Sequence, residues 1–194
     1  MSFLINNHLK NGYSDYNLLF LKKYVDEIKL SDKILDVGCG HFRNLYLFYK
    51  IGFKNLYGID RLVPDPSEKP ARFKVWFLKQ DINYGLPYEN NEFEIVLCNY
   101  VLMFIPSERL KYAIDELLRV TKGFCIIEMQ KQFKTSVNSQ IEDYNFKDIV
   151  KYIETKKDFE IVDKKIGREK IIIRRIENGK RETIFKNKSN NRKR

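Results

Sequence analysis

Apolar positions along the chain change period several times, and each change marks a new element. Leu18, Leu19, Leu21, Tyr24, Val25 and Ile28 recur at helical spacing, which predicts an amphipathic helix over residues 14–30 that starts at Ser14 or Asp15, both good cap residues. Ile34, Leu35 and Val37 make a short apolar run of the kind a buried strand makes. Leu45, Leu47, Phe48 and Ile51 then return to helical spacing, with Gly52 placed to end the helix. Residues 55–60 predict a second strand, and Pro64, Pro66 and Pro70 make 61–72 a loop. Further strands are predicted at 73–78, 91–99 and 124–129. Between the last two lie an apolar run, 100–105, suited to lining a crevice, and a helix carrying Leu110, Ala113, Ile114, Leu117 and Leu118 that ends by Lys122 and Gly123. A final helix over 141–155 leads to two strands, 158–165 and 170–176, around Gly167. Strands alternating with helices predict an α/β domain.

The candidate chemistry starts where the first strand ends. Residues 33–44 read KILDVGCGHFRN, a strand, a glycine turn and a helix in that order. Gly38 and Gly40 let the backbone turn sharply and approach a ligand closely. The dinucleotide fingerprint G-x-G-x-x-G fails, because Arg43 stands where its third glycine belongs. Asp36 precedes the glycines, and Asp60 ends the next strand, 22 residues after Gly38. A carboxylate at that strand end can accept hydrogen bonds from both hydroxyls of a ribose.

DVGCGHF, residues 36–42, resembles the first motif of the class I S-adenosylmethionine-dependent methyltransferases, D-x-G-x-G-x-G, with Phe42 in place of the third glycine. Leu86-Pro87-Tyr88 followed by FEIVLCN at 93–99 resembles the family's fourth-strand segment, in which L-P-F precedes F-D-x-V, with Glu94 replacing Asp. Arg43 and Asn44 look like the tellurite-resistance-type branch of small methyltransferases. The resemblance runs from Lys33 to Ile176 in element order. It implies a Rossmann-like seven-stranded, mostly parallel sheet with helices on both faces and a C-terminal antiparallel hairpin, and S-adenosylmethionine as methyl donor. It also implies donor-binding roles for Asp36, Gly38, Gly40, Asp60, Asp81, Ile82 and Asn99. In the family, an acid at the position of Asp81 reaches the exocyclic amine of adenine and its apolar neighbour, here Ile82, packs on the ring. Asn99 ends the fourth strand and faces the same crevice. The helix before the first strand would close over the donor, making Tyr13 or Tyr16 a candidate contact, and 130–138 is a candidate substrate flap. Amino-methylating DNA enzymes usually carry N-P-P-Y or D-P-P-Y after the fourth strand. Asn99-Tyr100-Val101-Leu102 stands there instead, which disfavours that subclass.

Composition narrows the picture. The 194 residues suit one α/β domain, expected over 1–177. No run approaches the ~20 apolar residues of a membrane helix, and no signal pattern opens the chain. No membrane partner and a cytoplasmic location are therefore expected. Cys39, Cys98 and Cys125 are odd in number and far apart, which suits neither a disulfide framework nor a metal site; each is expected to be a small buried residue. With only His8 and His41 and no zinc-like spacing, no metal is expected. His41 reads as a turn residue more than as a base. Glu128, ending the fifth strand, points to the crevice mouth if the alternation holds, and no catalytic base is singled out.

Charge divides the chain. Residues 164–194 hold 13 of the 36 Lys and Arg and 3 of the 26 Asp and Glu, a balance of +10 that equals the whole chain's, so the rest is neutral. Residues 178–194 have too little apolar surface to fold alone, and they predict a disordered basic tail. The expected function is methyl transfer to a small-molecule acceptor. The alternatives are a nucleic-acid- or ribosome-directed methyltransferase using the tail for phosphate contacts, or a donor-binding protein without transfer activity. Truncation after Glu177 separates the first two. A small-molecule enzyme keeps full activity, whereas a phosphate-tracking arm loses salt-sensitive nucleic-acid binding while donor affinity stays intact.

Overall fold

The computed structural model describes residues 12–64, 72–130, 142 and 144–176. His8, the body of the expected flap, the start of the last expected helix and the basic tail lie outside these residues. A 7-stranded sheet runs in the order β3-β2-β1-β4-β5-β7-β6. Its strands are β1 (Lys33–Val37), β2 (Asn55–Asp60), β3 (Trp76–Lys79), β4 (Phe93–Asn99), β5 (Thr121–Glu128), β6 (Phe159–Lys165) and β7 (Lys170–Arg175). The first five pair in parallel, and β7 runs antiparallel between β5 and β6. The helices are α1 (Asp15–Lys23), α2 (Arg43–Ile51), α3 (Ser107–Val120) and α4 (Phe146–Glu154). None among the described residues is long and apolar enough to cross a membrane. The expected architecture, including the closing hairpin, is the one observed.

Two cores sandwich the sheet because the central strands are apolar on both faces, as buried parallel strands are. Ile34, Leu56, Ile95, Leu97, Phe124, Ile126 and Ile172 face α1 and α2, meeting Phe20, Tyr24, Leu45 and Phe48. Leu35, Val37, Val96, Cys98, Cys125, Ile127, Ile171 and Ile173 point the other way, onto Ile114, Leu117 and Leu118 of α3 and Ile149 and Ile153 of α4. Neighbours in sequence thus alternate between cores with the period of 2 that a strand imposes. All three cysteines are buried and free, as the composition suggested.

Several boundaries differ from the expected ones. Ser14 caps α1, its Oγ accepting from the Tyr16 N–H, but the helix stops at Lys23. Tyr24 tilts onto Phe124 at 4.9 Å, and Glu27 is drawn out to Arg174 at 2.7 Å. β3 starts at Trp76 because Phe73 is instead buried against Tyr46 and Tyr49. Gly123 lies inside β5 rather than ending α3: a Cβ there would come within 2.6 Å of the Glu94 carbonyl oxygen, so the close strand approach requires glycine. Asn145 caps α4 by accepting from the Lys147 N–H.

Strand order reverses between β1 and β4, with β2 and β3 laid down on one side and β5 on the other. That reversal opens a crevice at the carboxyl ends of the strands, where ligands bind in open α/β sheets. α1 is held beside this crevice by Phe20, which is fully buried and meets the Phe124 ring edge-on at 5.1 Å. Phe20→Ala should therefore cost about 3–5 kcal/mol of folding stability, measurable by urea denaturation. A loss under about 1 kcal/mol would show that the site collapses around the smaller side chain.

Candidate functional site

The turn after β1 builds the floor of the crevice. The backbone N–H groups of Gly38 and Cys39 both donate to the Ile59 carbonyl, at 2.7 and 3.1 Å, which fastens the exit of β1 to the end of β2. Gly38 has φ +74, and a Cβ there would lie 2.1 Å from Cγ2 of Val101. Gly40 has φ +46 and open space where a side chain would be. Its N–H donates to Oδ2 of Asp60 at 2.9 Å. Phe42 precedes α2 at φ 59, the left-handed conformation that suits a glycine. Burial of its ring, edge-on to Phe77 at 5.8 Å, offsets the strain.

A cavity of about 300 Å³ opens above this turn. Gly38, Gly40, Asp60, Asp81, Ile82 and Asn99 all line it, and Ser14, Arg43, Asn44, Tyr100 and Phe104 add to its wall. Asp60 accepts from Gly40 with one oxygen and from the Leu62 N–H with the other, at 2.9 Å each, which leaves it further lone pairs. Oδ1 of Asp81 accepts from the Asn83 N–H at 2.9 Å and so holds the short turn that carries Ile82. His41 is exposed and is not part of the lining. Tyr16 turns away from the crevice, donating its hydroxyl to Asp163 at 2.6 Å. Tyr13 is half-exposed.

Asp36 lies outside the lining, buried near the end of β1. Neither of its carboxylate oxygens has a hydrogen-bond partner. Burial, reinforced by the charge of Asp60, pushes the carboxyl up to about 8, while the Asn44 amide, outside bonding geometry, and Arg43 act against the shift.

The end of β5 holds what the sequence did not disclose. Glu128 is completely buried rather than at a solvated mouth. Its carboxylate accepts from the Ser14 hydroxyl, from the Asn99 amide at 3.1 Å and from the Tyr100 hydroxyl at 2.6 Å, and it pairs with Lys170. Asn99 in turn accepts from the amides of Asn17 and Asn44, at 3.1 and 3.3 Å. The hint available in the sequence was an acid ending a strand otherwise apolar on both faces, where it needs partners to be tolerated. Those partners are scattered from Ser14 to Lys170.

Residues 35–127, the part of the chain that forms the turn and the crevice, match the family model of the methyltransferase domain. Over those residues the chain is similar to a methyltransferase domain. It is 32% identical over 143 residues to a probable methyltransferase of Aspergillus luteorubrus, a match that covers 60% of this chain and 48% of that one, so the chain spans about half the length of that relative. Magnesium protoporphyrin IX methyltransferase of Synechocystis PCC 6803, solved with bound S-adenosylhomocysteine, superimposes with a TM-score of 0.62 at 17% identity over 84% of this chain and 83% of that one. The 1,6-didemethyltoxoflavin-N1-methyltransferase of Burkholderia thailandensis, also solved with S-adenosylhomocysteine, gives 0.60 at 13% identity over 76% and 72%. At these identities the likeness is one of fold. Among the described residues, no cluster of His, Cys, Asp or Glu could hold a metal ion.

Asp36 makes the stability of the protein depend on pH in a defined direction. The folded protein keeps the carboxyl protonated up to about 8, whereas the unfolded chain ionises it near 3.8. The folded state thus holds the extra proton between those limits, and the stability this contributes is complete below pH 3.8 and is lost as pH rises towards 8. Asp36→Asn removes the dependence. Relative to wild type, the variant should gain about 1.4 kcal/mol for each pH unit climbed through that window. Urea denaturation at pH 5 and pH 8.5 measures it, and an equal difference at both would refute the assignment.

Proposed function

We propose that the protein transfers a methyl group from S-adenosylmethionine to a small-molecule acceptor, with the donor in the crevice between β1 and β4. One observation carries this: the Gly38–Gly40 turn and the carboxylates of Asp60 and Asp81 converge on a single cavity at the point where strand order reverses. The residues fit the donor. A Cβ at Gly38 would push Val101 aside, and the space over Gly40 is open, so backbone can lie directly against a ligand. The donor supplies a methyl carbon on a sulfonium whose leaving group is a neutral thioether, so alignment of the acceptor accounts for much of the rate.

In this reading the remaining lone pairs of Asp60 receive the ribose hydroxyls, Asp81 receives the adenine amine and Ile82 packs on the ring. Asp60 gives the floor of the site negative potential, which favours a cationic donor over its neutral product. α1 acts as a lid, since Gly12 and Ser14 at its start line the same cavity. Two considerations support a small acceptor: the cavity is at the lower end of the roughly 300–1,000 Å³ typical of small-ligand sites, and both fold neighbours are named for small ring compounds. A nucleic-acid acceptor is the second reading, favoured by the charge of +10 gathered in residues 164–194.

Calorimetry with S-adenosylmethionine and S-adenosylhomocysteine tests the donor site. Asp60→Ala removes charge-assisted hydrogen bonds worth about 1.5–3 kcal/mol each, so affinity should fall by about tenfold or more. Unchanged affinity in the variant would remove Asp60 from the site, and preference for a nicotinamide dinucleotide would overturn the function.

A further inference from the structure

Tyr100 has a backbone conformation that its side chain does not favour. It follows β4 at φ 62, in the left-handed region where a bulky residue is an outlier that needs a reason. Two tethers hold it there, both to Glu128: the Tyr100 N–H donates to the Glu128 carbonyl at 2.7 Å, and the phenol donates to Oε1 of the same residue at 2.6 Å. The ring is not hidden by this arrangement. Tyr100 remains 42% exposed and lines the cavity together with Phe104 and Ile105. An aromatic that merely filled space would not need a strained backbone fixed at both ends.

The direction of the phenol proton follows from its partner. Glu128 is fully buried, pairs with Lys170 and accepts from Ser14 and Asn99, so the groups around it are all donors and its oxygens act as acceptors. The single proton of the phenol is therefore committed to Glu128. Burial first, and then Glu128, push the phenol well above its ordinary pKa, so it does not ionise to act as a base. What it can offer the cavity is a lone pair, polarised by the carboxylate behind it.

We infer that Tyr100 is a specificity-determining residue that selects methyl acceptors presenting an N–H or O–H to its phenol oxygen, with Glu128 as the positioning residue that fixes that polarity. This rests on the methyltransferase function proposed above. An acceptor without such a hydrogen leaves the lone pair unmatched, and a site built around a hydrogen bond discriminates against the analogue that lacks it.

The test uses the full chain saturated with S-adenosylhomocysteine and three matched probe pairs: indole with N-methylindole, phenol with anisole, and aniline with N,N-dimethylaniline. Affinities come from ligand-observed NMR titration. Wild type should prefer the hydrogen-bearing member by about fivefold, and Tyr100→Phe should abolish the part of that preference due to the phenol while S-adenosylhomocysteine affinity holds. Glu128→Gln supplies an amide that can donate to the phenol, releasing its proton towards the cavity, so the preference should shift towards the hydrogen-free members. A preference unchanged in Tyr100→Phe, no preference in wild type, or no probe taken up at all would overturn the inference. Failure of S-adenosylhomocysteine to bind wild type would instead overturn the methyltransferase function beneath it.

Discussion

A completely buried carboxylate is the constraint around which the open end of this sheet is arranged. Burying a charged side chain costs several kcal/mol, and only dense pairing makes it tolerable. The donors come from the start of α1, the end of β4, the residue after β4 and the start of β7. Each of these elements is therefore placed by the need to meet one side chain. Asn99 extends the network to α1 and α2 through the amides of Asn17 and Asn44.

This gives the antiparallel hairpin a second role besides closing the sheet. β7 contributes Lys170 to Glu128, and β6 contributes Asp163 to the hydroxyl of Tyr16 and to Lys23 at 3.3 Å. Lys165 and Lys170 also sit over the Tyr16 ring, 5.5 and 5.7 Å from its centroid. Most of the hairpin's polar contacts at the surface are individually weak. The buried pair is the exception, because removing either member strands the other away from water. α1, whose first turn borders the cavity, is thus anchored to the strands farthest from β1 in sequence.

The glycine turn obeys a different constraint, that of backbone geometry and space. Gly38 is required twice over, by its positive φ and by Val101, whereas Gly40 is required by φ alone. Phe42 adopts the conformation of the glycine it replaces, and its ring enters the core with Phe73 and Phe77. Asp36, buried without a partner beneath this turn, is the opposite of Glu128: Glu128 is met by donors, whereas Asp36 avoids burying a charge by retaining its proton.

The sequence by itself determined the order of the strands along the chain, their two-faced burial and the chemistry of the turn. Strand periodicity, glycine geometry and the position of Asp60 are local properties, written within a few residues of where they act. Asp60, Gly38 and Gly40 could accordingly be picked out, Asp81 and Ile82 followed from the family resemblance, and all five meet at one cavity. Element ends were less legible, because Lys23 and Trp76 mark boundaries fixed by remote partners, Phe124 and Arg174 in one case and Tyr46 and Tyr49 in the other. Only the tertiary structure decided that Glu128 is a buried hub, that Tyr100 is bent back onto it and that Asp36 has no partner. Burial and hydrogen-bond satisfaction depend on residues more than 100 positions apart, such as Ser14 and Glu128 with a separation of 114, and no local pattern encodes which of two similar carboxylates those partners will reach.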